Sequence, residues 1–316
     1  MAVECIELKD SVAGSSARIL AGLGFNCFEF NVAAPSGPVN VLWSEKGFDR
    51  GLLRPSGSGI PLLFPFPGRI PGEVLRWEGR EYKLQAGDGR GNAIHGFVLD
   101  RPWRVVAATA NRVVGQFHAA REDAALRECW PADFCLTVSY ELIGNSLRSE
   151  LTVENPDKRP LPFGLGTHPY FRLPLGGPSA DRCIVKVPVS ERWELADLLP
   201  TGRRLPVDDP EAHRTGMEFG EMKFDDIFCG LVYEKDRCAT TIEDPGSKLR
   251  LVQEFDHGFR ECVVYTPPHR EAVCIEPYTC LSGAHDLQAK GLDAGIRSLA
   301  PGDSFSATVE IRVEGM

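Results

Sequence analysis

Between Phe134 and Val153 the chain alternates apolar and polar residues with a period of two. Phe134, Leu136, Val138, Tyr140 and Leu142 fall on one side, and Thr137, Ser139 and Glu141 on the other. After Gly144-Asn145 the pattern resumes, with Leu147, Leu151 and Val153 set against Arg148, Glu150 and Thr152. A two-residue period is the signature of a strand buried on one face, and Gly-Asn is turn chemistry, so the segment predicts a hairpin. The run Phe305, Ala307, Val309, Ile311, Val313 repeats the pattern after Pro301-Gly302-Asp303. Further strand candidates are Trp77–Leu84, Val105–Phe117, Leu249–Phe255 and Cys262–Thr266. Helical periodicity is weak: Glu122–Cys129 predicts two turns before Trp130-Pro131, and Asp209–Arg214 predicts one. Most of the 24 prolines and 32 glycines fall between these runs, as turns require. No internal repeat and no low-complexity linker divides the chain. The expectation is all-β: one domain over residues 1–316, a large antiparallel β-sandwich with a few short helices.

Charge and composition remove several classes of function. The net charge is −9, and the basic residues are scattered rather than gathered into the stripe that phosphate neutralisation needs, so no nucleic-acid partner is expected. No apolar run approaches the roughly 20 residues that cross a bilayer, and no membrane partner is expected. Met1-Ala2-Val3-Glu4-Cys5 carries an acid where a signal peptide carries basic residues, which points to the cytoplasm. The ten cysteines include no Cys-x-x-Cys pair and read as reduced, mostly buried thiols, Cys129/Cys135 and Cys274/Cys280 among them. The seven histidines show no metal-ligand spacing, so no metal is expected. Gly87-Asp88-Gly89-Arg90-Gly91 lacks the dinucleotide-binding spacing. Ser56-Gly57-Ser58-Gly59 reads as a flexible loop.

Five segments carry candidate chemistry. Ile60–Ile70 sets Pro61, Pro65 and Pro67 in an apolar run, which cannot be a central strand because each proline removes a ladder donor. It reads as a rigid apolar wall ending in Arg69. Ala93–Phe97 places His95 beside Gly96, which permits close backbone approach. Gly166-Thr167-His168-Pro169-Tyr170-Phe171 sets a histidine among aromatics. In Ile275-Glu276-Pro277-Tyr278 a carboxylate continues the apolar strand Ala272–Ile275, a costly placement unless it is hydrogen-bonded or solvated. Phe224-Asp225-Asp226-Ile227-Phe228 is acidic between aromatics. Taken singly, each has an ordinary reading: packing, a satisfied structural histidine, an exposed turn. His168 and Glu276 together suit general acid–base work on a neutral, hydroxyl-rich substrate.

Taken in order, these segments resemble the aldose 1-epimerase (galactose mutarotase-like) family from about Trp43 to the C-terminus. The more specific elements are His168-Pro169-Tyr170-Phe171 and Glu276-Pro277-Tyr278. The resemblance implies a β-supersandwich with an open sugar cleft and no cofactor. It implies that His168 is the general acid and Glu276 the general base that open and close a hexopyranose ring, interconverting its anomers. Arg69 and His95 would hold the ring and its polarised oxygens. Asp225 would bind hydroxyls, with Asp226 a one-residue alternative, and Tyr170 would line the cleft. His168 is expected to have its pKa raised by a neighbouring carboxylate or by the sugar, giving an ionisation between pH 5 and 8. Two departures stand out: typical galactose mutarotases have Asn where this chain has Gly68, and often Gly where it has Phe97. The His-Gly-Phe form also occurs in relatives acting on hexose 6-phosphates, and Arg69, Arg101 and Arg172 are the basic groups that could meet a phosphate. The partner expected is therefore a small sugar, hexose or hexose phosphate, taken by a monomer or homodimer. Alternatives are a hexose-6-phosphate 1-epimerase, a non-catalytic sugar-binding protein on the same fold, and a glycoside hydrolase using Asp225 with Glu276.

Overall fold

Two large antiparallel sheets organise the chain. The computed structural model describes residues 3–35 and 37–316; Met1 and Ala2, which open the acidic N-terminal segment, lie outside the described residues. A nine-stranded sheet runs from Arg104–Ala108 through Arg112–His118, Cys135–Ile143, Ser146–Glu154, Ser304–Gly315, Leu249–Asp256, Arg237–Asp244 and Ile184–Lys186 to Met217–Glu218. An eight-stranded sheet is ordered Leu199–Pro206, Glu191–Ala196, Asp225–Cys229, Glu261–Tyr265, Ala272–Tyr278, Gly166–Thr167 and Leu62–Leu63, with Tyr170–Arg172 also paired to Ala272–Tyr278. A smaller four-stranded sheet occupies Cys5–Asn40.

The predicted hairpin is at the centre of the nine-stranded sheet. Ile143 pairs with Ser146 across Gly144-Asn145, and Gly144 has φ +58, the left-handed conformation a tight hairpin turn needs at its first central residue. Leu136, Val138, Tyr140, Leu142, Leu147, Leu151 and Val153 are all buried in the main core. Each such aliphatic side chain contributes about 1.5–3 kcal/mol relative to exposure.

Ala272–Tyr278 belongs to the other sheet and is buried on both faces. Val273 and Ile275 enter the main core, while Tyr278 joins a second, smaller core with Leu63, Trp193, Ile227, Val263 and Leu287. Double burial is why Ala272–Ile275 reads as a continuous apolar run without alternation.

Some expectations shift. Trp77–Leu84 is not one strand: Val74–Trp77 pairs with Arg80–Lys83 around Glu78-Gly79, both at positive φ. Val105–Phe117 is likewise the hairpin Arg104–Ala108 with Arg112–His118. The helix expected at Glu122–Cys129 is two single turns, Ala119–Glu122 and Leu126–Cys129. Between them Asp123 adopts extended backbone, accepts from Ala125 N and pairs with Arg101. Pro210–Thr215 forms as expected, with the Asp209 side chain accepting from Ala212 N. A further helix, Ala284–Ala289, has no counterpart in the sequence pattern. The Pro-rich run is not a central strand: it contributes the edge strand Leu62–Leu63 and enters the short strand Arg69–Pro71, while Phe64 and Phe66 pack against Phe134 and Trp130. Ser58 and Gly59 are buried, with Ser58 Oγ accepting from Glu45 N and Gly59 N donating to Trp43 O, so that end of the serine-glycine loop is tied into the fold.

Candidate active site

Strand register decides what faces the cavity. Glu276 lies opposite Val263, and Val263 opposite Ile227; Cys274 lies opposite Tyr265, and Tyr265 opposite Asp225. Alternation therefore puts Asp225, Ile227, Val263, Tyr265, Glu276 and Tyr278 on one face, where all six line a cavity of about 310 Å³. Asp226, opposite Val264, is directed to the other face and does not line it. Cys274 shares the cavity face of its strand but is covered by Tyr170 and Tyr265, which pair with it on either side.

His168 enters where the chain leaves the short strand Gly166–Thr167. Its N–H donates to Pro61 O at 3.0 Å, and two residues on Tyr170 N donates to Gly59 O at 2.9 Å, so both ends of the His-Pro-Tyr segment are pinned. The imidazole stacks on the Tyr170 ring, centroids 4.8 Å apart and planes 3° apart, and meets the His95 ring edge-to-face at 5.6 Å. His168 Nε2 lies 3.3 Å from Glu276 Oε1. The second carboxyl oxygen, Oε2, accepts from the Tyr278 hydroxyl at 2.7 Å. Glu276 is 1% and His168 6% exposed.

Arg69 begins the strand Arg69–Pro71, pairs with Ile94, and donates from Nε to Asp88 Oδ2 at 3.1 Å. His95 has φ +64, and its N–H donates to Gly68 O. Next to it Gly96 packs so tightly that a Cβ would lie 2.0 Å from the Phe64 carbonyl oxygen, which gives the His-Gly pair its physical reason. Gly68, where the family resemblance leads one to expect Asn, has φ +65, and a Cβ there would lie 2.8 Å from the Ser282 side chain. The cavity thus brings together Arg69, His95, His168, Tyr170, Asp225 and Glu276.

Sequence reasoning passes over Asp88, Arg90, Arg54, Tyr265 and the role of Tyr278, all of which line the same cavity. Tyr278 can be found from the sequence, since residues two apart on a strand share a face. Asp88 and Arg90 lie in the glycine-rich loop, whose spacing invites comparison only with a dinucleotide motif.

The electrostatics of the protein's own groups run against one expectation, that a neighbouring carboxylate raises the His168 pKa. Burial pushes His168 down to about 3, and the nearby Arg54 cation acts in the same direction, so the pKa is lowered rather than raised. Burial pushes Glu276 well above the usual carboxylate range, against the donation from Tyr278. His95 is also held well below its usual value by burial, then by His168, Arg69 and Arg54. Burial opposes ionisation of Asp88, but donors from Asn92, Arg90 and Arg69 outweigh it and hold that carboxyl at about 2. Burial thus disfavours the charged form of both partners, opposing a proton on His168 and the loss of one from Glu276.

His168, Glu276 and Cys274 also bring potential metal-ligand atoms within 4.8 Å of one another, a trio that sequence spacing does not reveal. His168 Nδ1 has no hydrogen-bond partner, whereas a metal-holding imidazole ordinarily donates its other N–H to an orienting acceptor. Burial holds the Cys274 thiol well up, so the trio stands as an acid–base pair beside a neutral thiol.

The fold and the sequence together define a class. The chain belongs to the aldose 1-epimerase family, whose family model matches residues 33–312. It is similar to the uncharacterized protein YihR of Escherichia coli strain K12, 25% identical over 224 residues that make up 69% of each chain. Among solved structures it superposes on a galactose mutarotase-like protein from Clostridium acetobutylicum with a TM-score of 0.85, at 22% identity over 99% of both chains. It superposes on the GalM/aldose epimerase homologue of C. elegans with a TM-score of 0.82, at 18% identity over the whole of both. Those two likenesses establish the galactose mutarotase-like fold. Among the described residues no helix is long and apolar enough to cross a membrane.

Proposed function

We propose that this protein is an aldose 1-epimerase that interconverts the α and β anomers of a hexopyranose. The observation that carries the reading is the His168–Glu276 contact at the floor of a cavity also lined by Arg69, His95 and Asp225. Glu276 takes the proton of the anomeric hydroxyl while His168 delivers one to the ring oxygen. The C1–O5 bond breaks, the aldehyde forms, and rotation about C1–C2 followed by closure gives the other anomer. Both oxygens are bonded to the same carbon, so an acid and a base in mutual contact suit the task better than a pair set on opposite sides of a ring.

The proton count is favourable. Moving a single proton from Glu276 to His168 creates the ionised base and the protonated acid with no exchange with solvent. Sugar hydroxyls entering the cavity supply the dipoles that make the charged form accessible, and each positioned proton transfer contributes about 10²–10⁴-fold. Arg69, fixed by Asp88, faces the oxygen that gains electron density; His95 and Asp225 hold ring hydroxyls, and Tyr170 orients the His168 ring.

Mutarotation of a panel of hexoses, followed by NMR exchange or polarimetry, tests this. His168→Ala and Glu276→Gln each abolish acceleration while circular dichroism stays unchanged. Sugar binding with no acceleration by the wild-type protein would overturn the reading in favour of a binding protein, and release of reducing sugar from an aryl glycoside would favour a hydrolase.

A further inference from the structure

Three arginines line the cavity, and only one of them is matched by an acid. Arg69 is committed to Asp88. Arg54 donates from Nε to Ser56 Oγ at 2.9 Å, and neither Arg54 nor Arg90 forms an ion pair among the described residues. Of the three cavity carboxyls, Asp88 is committed to Arg69, burial disfavours the charged form of Glu276, and Asp225 is ion-paired to neither Arg54 nor Arg90 among the described residues. Two guanidiniums without an ion pair at one cavity stand out on a chain of net charge −9. The basic groups that the sequence suggested for a phosphate do not supply it: Arg101 is bound to Asp123, Asp100 and the Phe97 carbonyl, and Arg172 donates to Leu42 O away from the cavity.

A neutral hexose offers only hydroxyls and has no need of two unpaired cations. Arg54 is moreover a burden on such a reaction, because its charge opposes protonation of both His168 and His95. An anionic group brought in by the substrate would cancel that field and make His168 a better proton carrier. There is room for it: a neighbouring hollow of about 200 Å³, lined by Phe66, Gln85, Phe97 and the mutually paired Asp100 and Arg101, shares Arg54, Ser56, Ile94 and His95 with the main cavity. Planar guanidiniums are the side chains best matched to the oxygens of phosphate, sulfonate or carboxylate.

We propose that the sugar taken by this cavity carries an anionic group away from its anomeric carbon, held by Arg54 with Arg90 beside it. The proposal rests on the epimerase reading for the position of the ring, and makes Arg54 and Arg90 the residues that select the substrate. Binding the anion and loading His168 with its proton are then one event.

The test compares glucose with its 6-phosphate, its 6-sulfonate and glucuronate, measuring kcat/KM by NMR exchange for wild type, Arg54→Gln and Arg90→Gln. Binding of the same sugars is measured separately by calorimetry. We expect at least one anionic sugar to exceed glucose by about 10-fold or more. Losing one charge-assisted contact in Arg54→Gln should shrink that anionic-to-neutral ratio by about 10–100-fold. Rank order among the three anions identifies the group. Both Arg positions are exposed, and Arg54→Lys, which keeps the charge, should restore part of the preference. A ratio near one in wild type, or one unmoved in both Gln variants, overturns the proposal and leaves the epimerase reading intact. Arg54-dependent binding of an anionic sugar with no anomer exchange of any sugar would support the anion site and overturn the epimerase reading instead.

Discussion

Tyr278 and Glu276 stand two residues apart on one strand, and the Tyr278 hydroxyl donates to Glu276 Oε2 at 2.7 Å. This bond leaves Oε1 as the oxygen that faces His168, so it assigns different tasks to the two halves of one carboxylate. Tyr278→Phe should remove the one donor that favours Glu276 ionisation, weaken the base and lower kcat by about 10-fold with KM little changed. Single-turnover polarimetry measures it; unchanged kcat would show that Tyr278 only packs.

The pH dependence of kcat follows from the two shifts. Double protonation of the pair removes the base, and the depressed His168 value places that event near pH 3. Full deprotonation removes the acid, and the raised Glu276 value moves that event well above the ordinary carboxylate range. The rate should hold level from about pH 4 into the neutral range, wherever circular dichroism shows a folded protein. An acid limb centred near 6.5, the ordinary histidine value, would contradict the burial argument.

Asp225 and Asp226 are adjacent in sequence but lie on opposite faces of their strand. With Asp225 holding ring hydroxyls as proposed, Asp225→Asn should raise KM by about 10-fold, with kcat less affected. Asp226→Asn, away from the cavity, should leave both constants within about twofold. Equal effects from the two substitutions would mean that the strand register near Phe224 is wrong.

Glu261 is buried beside Trp193, whose Nε1 donates to Glu261 Oε2 at 2.8 Å. Burial raises this carboxyl to about 7, above its unfolded value. The folded state therefore binds more protons than the unfolded state between about pH 4.5 and 7. Glu261's contribution to stability is full below that window and is lost as pH rises through it. Glu261→Gln keeps an acceptor for Trp193 and should stabilise the protein at pH 8 by about 1–3 kcal/mol, with little gain at pH 5. Urea unfolding at the two pH values checks both sign and size.

Much of the architecture can be read directly because burial on one face writes a period of two into Phe134–Val153 and Phe305–Val313. Glu276 draws attention for a related reason: a carboxylate ending an apolar run has to be explained. The limits are equally physical. Glu78-Gly79 is a turn inside what looks like one strand, and no period reports a two-residue reversal. The helix Ala284–Ala289 is too short to display a helical repeat. Choosing between Asp225 and Asp226 needs the partner strand, because register is a relation between segments. The direction of the His168 shift depends on burial by residues far away in sequence, so reasoning from ordinary pKa values and a neighbouring carboxylate misses the desolvation that dominates.

The parts of the cavity also differ in how they are held. Glu276 and Tyr278 belong to a strand clamped between two cores, whereas Arg54, Asp88 and Arg90 sit in the segments that form its rim. With His168 and Glu276 as the proton carriers and the arginines as selectors, the reaction and the choice of sugar are written in separable stretches of chain. Grafting the 54–57 and 89–91 segments from one family member to another, which leaves Gly59 and Asp88 in place, should change the choice of sugar while His168 and Glu276 stay as they are.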